Sequence, residues 1–210
     1  MAGLTLVSNG ATLFTEDFTD NSASPNMALG TGFGSPVTNT TGAFTITSGD
    51  GSRIYLGTND TNYSTIDFTF EADVFVPNLG SPWGIAFLGM GSPNAGPSGG
   101  SEPLTGSNIM MALRGTDDFP SGSLTNRDNA AFGSNFTNIG LTAATHGMRM
   151  DWNATTMQAT FMFDLLNDGT YDPLLTFVVN GADNLFTASN SQLFVGVVEA
   201  QAIATTYEEL

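Results

Sequence analysis

The chain has 210 residues with 4 basic against 20 acidic side chains and a net charge of −16; the cations are Arg53, Arg114, Arg127 and Arg149, cysteine is absent and His146 is the single histidine. This balance excludes the basic footprint that nucleic acid needs, and the lack of lysine and cysteine removes a Walker loop, a Schiff base and an ordinary zinc site. No apolar run approaches the ~20 residues of a membrane-spanning helix, and disulfides cannot report the compartment.

In chain order, β-type runs fall at residues 12–18, 43–47, 53–56, 65–76, 84–88, 108–113, 148–152, 157–164, 174–179, 193–198 and 202–210, each bounded by Gly, Asn, Asp, Pro or Ser. The clearest is 65–76. Ile66, Phe68, Phe70, Ala72, Val74 and Val76 share one side, and Asp67, Thr69, Glu71 and Asp73 share the other. Period-two alternation of this kind predicts a strand with one core face and one wet, acidic face. Further on, Met148, Met150 and Trp152 share a side, the tetrad from Asn153 to Thr156 turns, and Met157, Ala159, Phe161 and Phe163 return on one side. That pattern predicts a hairpin, with Trp152 in the core. No window carries a helical stripe, so the pattern predicts an all-β chain, a sandwich or closed barrel, in a single domain spanning 1–210. Residues 89–107 and 115–145 read as long loops because their glycines and prolines suit a ladder poorly.

Several motifs in order carry a family resemblance. TEDF at 15–18, the acidic strand at 65–76, GIAFLG at 84–89, THGMRMDWN at 145–153 leading into ATFMFD, and LFVGVV at 193–198 resemble concanavalin-A-like jelly rolls of the legume-lectin and laminin-G type. The resemblance implies an antiparallel two-sheet jelly-roll sandwich with sugar-binding loops at one rim. It also exposes departures. Trp83 precedes Gly84 where legume-type lectins place a sugar-binding aspartate, and Met111, Ala112, Leu113 and Arg114 stand where they carry metal ligands, so their calcium and manganese pair is expected to be missing. Relatives that hydrolyse glucans use Glu-x-Asp-x-Glu, whereas here Glu71-x-Asp73 is followed by Phe75. Retaining hydrolysis needs two carboxyl groups about 5 to 5.5 Å apart, so an enzyme is not expected. More loosely, the chain resembles exported bacterial proteins whose jelly roll ends in a strand like ATTYEEL (204–210) before a sorting tail. With its Asn, Thr, Ser and Gly content and lysine avoidance, this leads to the expectation of a secreted, extracellular chain lacking its leader and any sorting tail.

Candidate sites follow from chemistry. Asp164, Asp168, Gly169 and Asp172 in DLLNDGTYD match four positions of a calcium loop, but position three is Leu166, and Asn-Asp-Gly is equally a hairpin signal. A plain turn is the favoured reading, with Ca2+ held by Asp164, Asp168 and Asp172 as the alternative. Asp67, Glu71 and Asp73 read as a solvated face before a chelating one. Trp83, beside the first long loop, either stacks on a sugar or plugs the core. Arg114, Asp117, Asp118 and Phe119 form a polar and aromatic cluster at the expected rim, with loop solubility as the plainer reading. Gly96-Pro97-Ser98-Gly99-Gly100 matches G-x-S-x-G without the strand and helix that motif needs, and His146 reads as structural. The expected function is a non-catalytic carbohydrate-binding module whose partner is a glycan or polysaccharide. The alternatives are a self-associating matrix or filament subunit that pairs by strand addition, and an atypical glycan hydrolase.

Overall fold

The computed structural model of the protein describes residues 4–8, 11–16, 27–33, 37–40, 43–47, 53–76, 85–91, 108–116, 119–128, 131–132, 144–180, 191–198 and 204–208, in several strands by backbone alone. They form two antiparallel sheets. The first contains β1 (Leu4–Ser8), β2 (Ala11–Glu16), β4 (Val37–Thr40), β5 (Ala43–Thr47), β7 (Phe68–Val76), β12 (Ala144–Asn153), β13 (Gln158–Asp164), β14 (Phe177–Asn180) and β16 (Ala204–Glu208). Its order is β14-β13-β12-β7-β16-β5-β4, with β1 joined to β7 and β2 to β1. The second contains β3 (Met27–Phe33), β6 (Arg53–Thr58), β8 (Ile85–Gly91), β9 (Asn108–Thr116), β10 (Phe119–Asp128), β11 (Ala131–Phe132) and β15 (Gln192–Val198), ordered β11-β10-β9-β8-β15-β6-β3. Among the described residues the only helical turns are two 3-10 turns, Tyr63–Thr65 and Pro173–Leu175.

Register explains the core. Trp152 pairs with Phe68, Met150 with Phe70 and Met148 with Ala72, while β13 sets Phe161 opposite Met150 and Phe163 opposite Met148. Period two then directs all these side chains to one face. They pack against Leu88, Met90, Ile109, Met111, Leu193 and Val195 from the seven-stranded sheet. Burying a phenylalanine this completely stabilises the fold by about 1.5–3 kcal/mol. Trp152 is 3% exposed, and its Nε1 donates to Ser64 O at 3.2 Å, which satisfies the polar end of a buried indole.

A second apolar cluster lies on the opposite face of the seven-stranded sheet, where Phe87, Met110, Ala112 and Phe194 are buried beside Tyr55. The Phe194 ring meets those of Phe87 and Tyr55 edge-on at 5.9 and 6.5 Å. Gly89 stands opposite both Phe194 and Met110, and a Cβ there would collide with the Ile109 carbonyl oxygen.

The structure departs from the sequence-based expectation in identifiable places. β1, β3, β4, β10 and β11 fall where no strand was expected, and β10 and β11 lie inside the 115–145 stretch read as loop. Ladder neighbours supply the hydrogen bonds that weak local propensity does not. Ile66 precedes β7 and is 37% exposed, so it does not join the core face. Met157 belongs to the hairpin turn with φ of 52° rather than to the returning strand. Leu174 sits in a 3-10 turn and is 80% exposed, because Asp172 caps that turn and delays the strand to Phe177.

Candidate functional site

Parity that sends the rings of β7, β12 and β13 inward sends a second set outward. Thr69 pairs with Asp151 and Asp151 with Thr160, one row across three strands. In the next row Asn153 pairs with Gln158, and Asp67 reaches the same level by accepting from Ala154 N at 2.8 Å. Together these six side chains border an open depression of about 510 Å³. Asp151 is fixed there: Arg149 donates to it through Nε at 2.8 Å and Nη2 at 3.0 Å, and Thr69 Oγ1 donates at 2.7 Å.

Farther along the same face the connection between β13 and β14 folds back over the sheet. Asp164, 2% exposed, accepts from Leu166 N at 3.1 Å and Gly169 N at 2.7 Å, and Asp172 N closes the loop by donating to Phe163 O at 3.0 Å. Asn167 and Gly169 take positive φ, 52° and 83°, a region that asparagine and glycine tolerate best. The loop thereby delivers Asn167 Nδ2 to Asp73 at 3.4 Å and Tyr171 Oη to Glu71 Oε1 at 3.2 Å. Arg149 Nη1 reaches the same Glu71 oxygen at 3.1 Å, and its guanidinium carbon lies 5.6 Å from the Tyr171 ring centre. Burial alone pulls the Arg149 pKa down, but hydrogen bonding and charge from Asp151, with Glu71 and Tyr171 adding, turn the net shift upward. Burial first, then the charge and hydrogen bond of Glu71, hold the Tyr171 hydroxyl well above its ordinary pKa. Here the expected wet, acidic face is corrected: Asp73 is 3% exposed because a loop distant in sequence covers it.

The sequence-derived sugar candidates fare unevenly. Trp83, Asp117 and Asp118 lie outside the described residues, as does the 96–100 motif, and Arg114 and Phe119 are described by backbone alone. Their backbones are close, since Arg114 ends the stretch of β9 that pairs with β8, and Phe119 pairs with Thr116 where β10 begins. The three candidate calcium ligands each cap a different peptide. Asp164 is described above, Asp168 accepts from Thr170 N at 2.9 Å, and Asp172 accepts from Leu174 N at 2.8 Å. Among the described residues no three His, Cys, Asp or Glu side chains gather as a metal set. His146 is buried, with Nδ1 2.8 Å from Leu165 O. A carbonyl only accepts, so this nitrogen carries the proton. Asp151, Asn153, Gln158, Thr160 and Tyr171 were not singled out from sequence, although hairpin parity already placed Asp151 and Thr160 opposite the core rings.

No protein-family model and no curated protein matches this sequence. Solved structures do. The lectin UEA-II in complex with galactose matches with a TM-score of 0.62 at 14% identity, over 92% of this chain and 96% of that one. A seed lectin of Lotus tetragonolobus gives 0.62 at 12% identity, covering 90% and 92%. The Ca2+-bound exoplasmic/lumenal domain of VIP36 gives 0.60 at 10% identity, covering 93% and 88%. The chain therefore shares the fold of these lectins, an antiparallel two-sheet jelly-roll sandwich.

Proposed function

We propose that the protein is a non-catalytic, lectin-like module that binds a glycan or polysaccharide outside the cell. The observation that carries this reading is the end-to-end match of its fold to a lectin that holds galactose, with 92% of this chain and 96% of that one superposed. A VIP36 form with Ca2+ and Man2 bound is similar in the same way, at a TM-score of 0.59. Fold hosts many functions, so the reading also rests on chemistry. Glu71 is held by Arg149 and Tyr171 while Asp73 lies beneath a loop, which leaves no open carboxylate pair on β7 for glycoside hydrolysis. We place the primary sugar contacts at Trp83, Arg114, Asp117, Asp118 and Phe119. A glycan array tests the reading: binding to a defined saccharide class is expected, and Trp83→Ala and Asp117→Ala should each weaken it about tenfold or more. Silence across the array would refute it.

One observation favours self-association as a second reading. Among the described residues β14 pairs only with β13, and at this sheet edge Val178 is 59% exposed. An open edge with an apolar residue invites strand addition. The C-terminal strand does not, because β16 is paired with both β5 and β7. Light scattering across a concentration series would detect the assembly.

A further inference from the structure

We propose a second saccharide site on the outer face of the nine-stranded sheet, in the depression bordered by Asp67, Thr69, Asp151, Asn153, Gln158 and Thr160, that takes a neutral or amino-bearing sugar. The inference rests on the lectin-like reading but locates binding on the outer sheet face, at residues other than the rim candidates.

Geometry supplies the first argument. Strands lie about 4.8 Å apart and alternate residues about 6.8 Å apart, so three strands and two rows present polar groups over roughly 10 by 7 Å. That footprint suits one or two pyranose rings. The depression is open, about 510 Å³, and its wall reaches β1 at Val7 and the hairpin turn at Thr156.

The second argument is the state of the polar groups. Asp151 is oriented by Arg149 and Thr69, and Asp67 by Ala154 N, so both carboxylates are placed before a ligand arrives. Asn153 uses Oδ1 to accept from Thr156 N at 2.9 Å, which leaves its Nδ2 as the donor end of the amide. Gln158 and the Thr160 hydroxyl have no side-chain partner among the described residues. A sugar hydroxyl donates and accepts at once, so carboxylate oxygens beside amide and hydroxyl donors match it. Preorganised groups also reduce the ordering cost of binding.

Charge selects among sugars. Among the described residues the one cation nearby, Arg149, is committed to Asp151 and Glu71, and Asp67 has no cationic partner. With Asp67, Asp151 and Glu71 outnumbering Arg149 in a chain of net charge −16, an anionic sugar meets net repulsion at this face. A bare metal ion is poorly served, because the Asp151 oxygens already accept from a guanidinium.

Two-dimensional NMR of the whole chain, titrated with neutral gluco- and manno-oligosaccharides, chitosan oligosaccharides and oligogalacturonate, tests the site. At least one neutral or amino probe should saturably shift the amide signals of Asp67, Thr69, Asn153, Gln158 and Thr160, and oligogalacturonate should not. The double variant Gln158→Ala, Thr160→Ala should bind that probe about tenfold more weakly with an unchanged Tm, since two ligand hydrogen bonds are lost and no protein partner is. Saturable shifts that spare this face would overturn the second site and leave the lectin reading intact. No shift from any probe would overturn both, and equal binding of oligogalacturonate would overturn the charge selectivity.

Discussion

Gly147 and Asp164 stand opposite each other on β12 and β13, so close that a methyl group added at Gly147 would lie 3.1 Å from Asp164 Cβ. The same methyl would lie 3.6 Å from Asn167 Oδ1, under the loop that crosses the sheet. Gly147 also pairs with Asp73, so a residue without a side chain separates two buried carboxylates and gives the loop its seat.

Gly147→Ala should therefore destabilise the fold by about 1 kcal/mol and Gly147→Val by about 2–3 kcal/mol. Alanine gains strand propensity over glycine, but Asp164 is held by two peptide donors and yields little, so overpacking dominates. Urea denaturation reads this as a fall in midpoint at constant slope. A midpoint that rises in Gly147→Ala would show that the loop moves aside freely.

Tyr171 makes part of the alkaline stability pH-dependent. Its folded-state pKa is raised above the unfolded value of 10.0, by burial first and then by Glu71. The folded chain thus keeps a proton that the unfolded chain releases, so this stabilisation is complete below pH 10 and declines as pH rises toward the folded pKa. Tyr55 and Tyr63 are raised by burial as well. Subtracting the curve of Tyr171→Phe from that of the unmodified protein, by denaturation from roughly pH 9 to 11.5, isolates the contribution of Tyr171. The variant should show the shallower loss.

Calcium dependence separates the two readings of the loop that begins at Asp164. With each carboxylate capping a peptide N–H, Asp168→Ala should lower Tm by roughly 1–3 °C, equally with and without calcium. A calcium-induced rise in Tm that Asp168→Ala abolishes would instead assign the loop to the metal, because a ligand bound only by the folded state stabilises it by mass action.

How far the sequence is legible depends on whether a signal is local. Phe68, Phe70, Ala72 and Val74 declare their face because successive strand residues point to opposite sides, a property of the backbone that no partner alters. The hairpin around Asn153 is legible for the same reason, and the inward position of Trp152 follows from it. In β10 the run FPSGSLTNRD carries a proline, a glycine and little β-branched character, yet it pairs with β9 from Ser123 to Asp128 because that neighbour presents an open ladder. Sugar candidates at the proposed rim were reached from residue chemistry, Trp83 as an aromatic ring beside a long loop and Arg114, Asp117, Asp118 and Phe119 as a polar and aromatic cluster, and the geometry of their side chains lies outside the described residues.

From the residues alone come the all-β class, the inward and outward sides of β7, β12 and β13, and an acidity that rejects polyanions, since composition and period two act without tertiary context. Only the folded arrangement decides that Asp73 and Asp164 are enclosed, that Arg149 is shared between Glu71 and Asp151, and that Asp67 and Thr160 border one depression. Those facts depend on strand order and on a loop crossing a sheet that it follows in sequence. The bond from Arg149 to Glu71 joins residues 78 positions apart and that from Asn167 to Asp73 joins residues 94 apart, and nothing in local propensity encodes them.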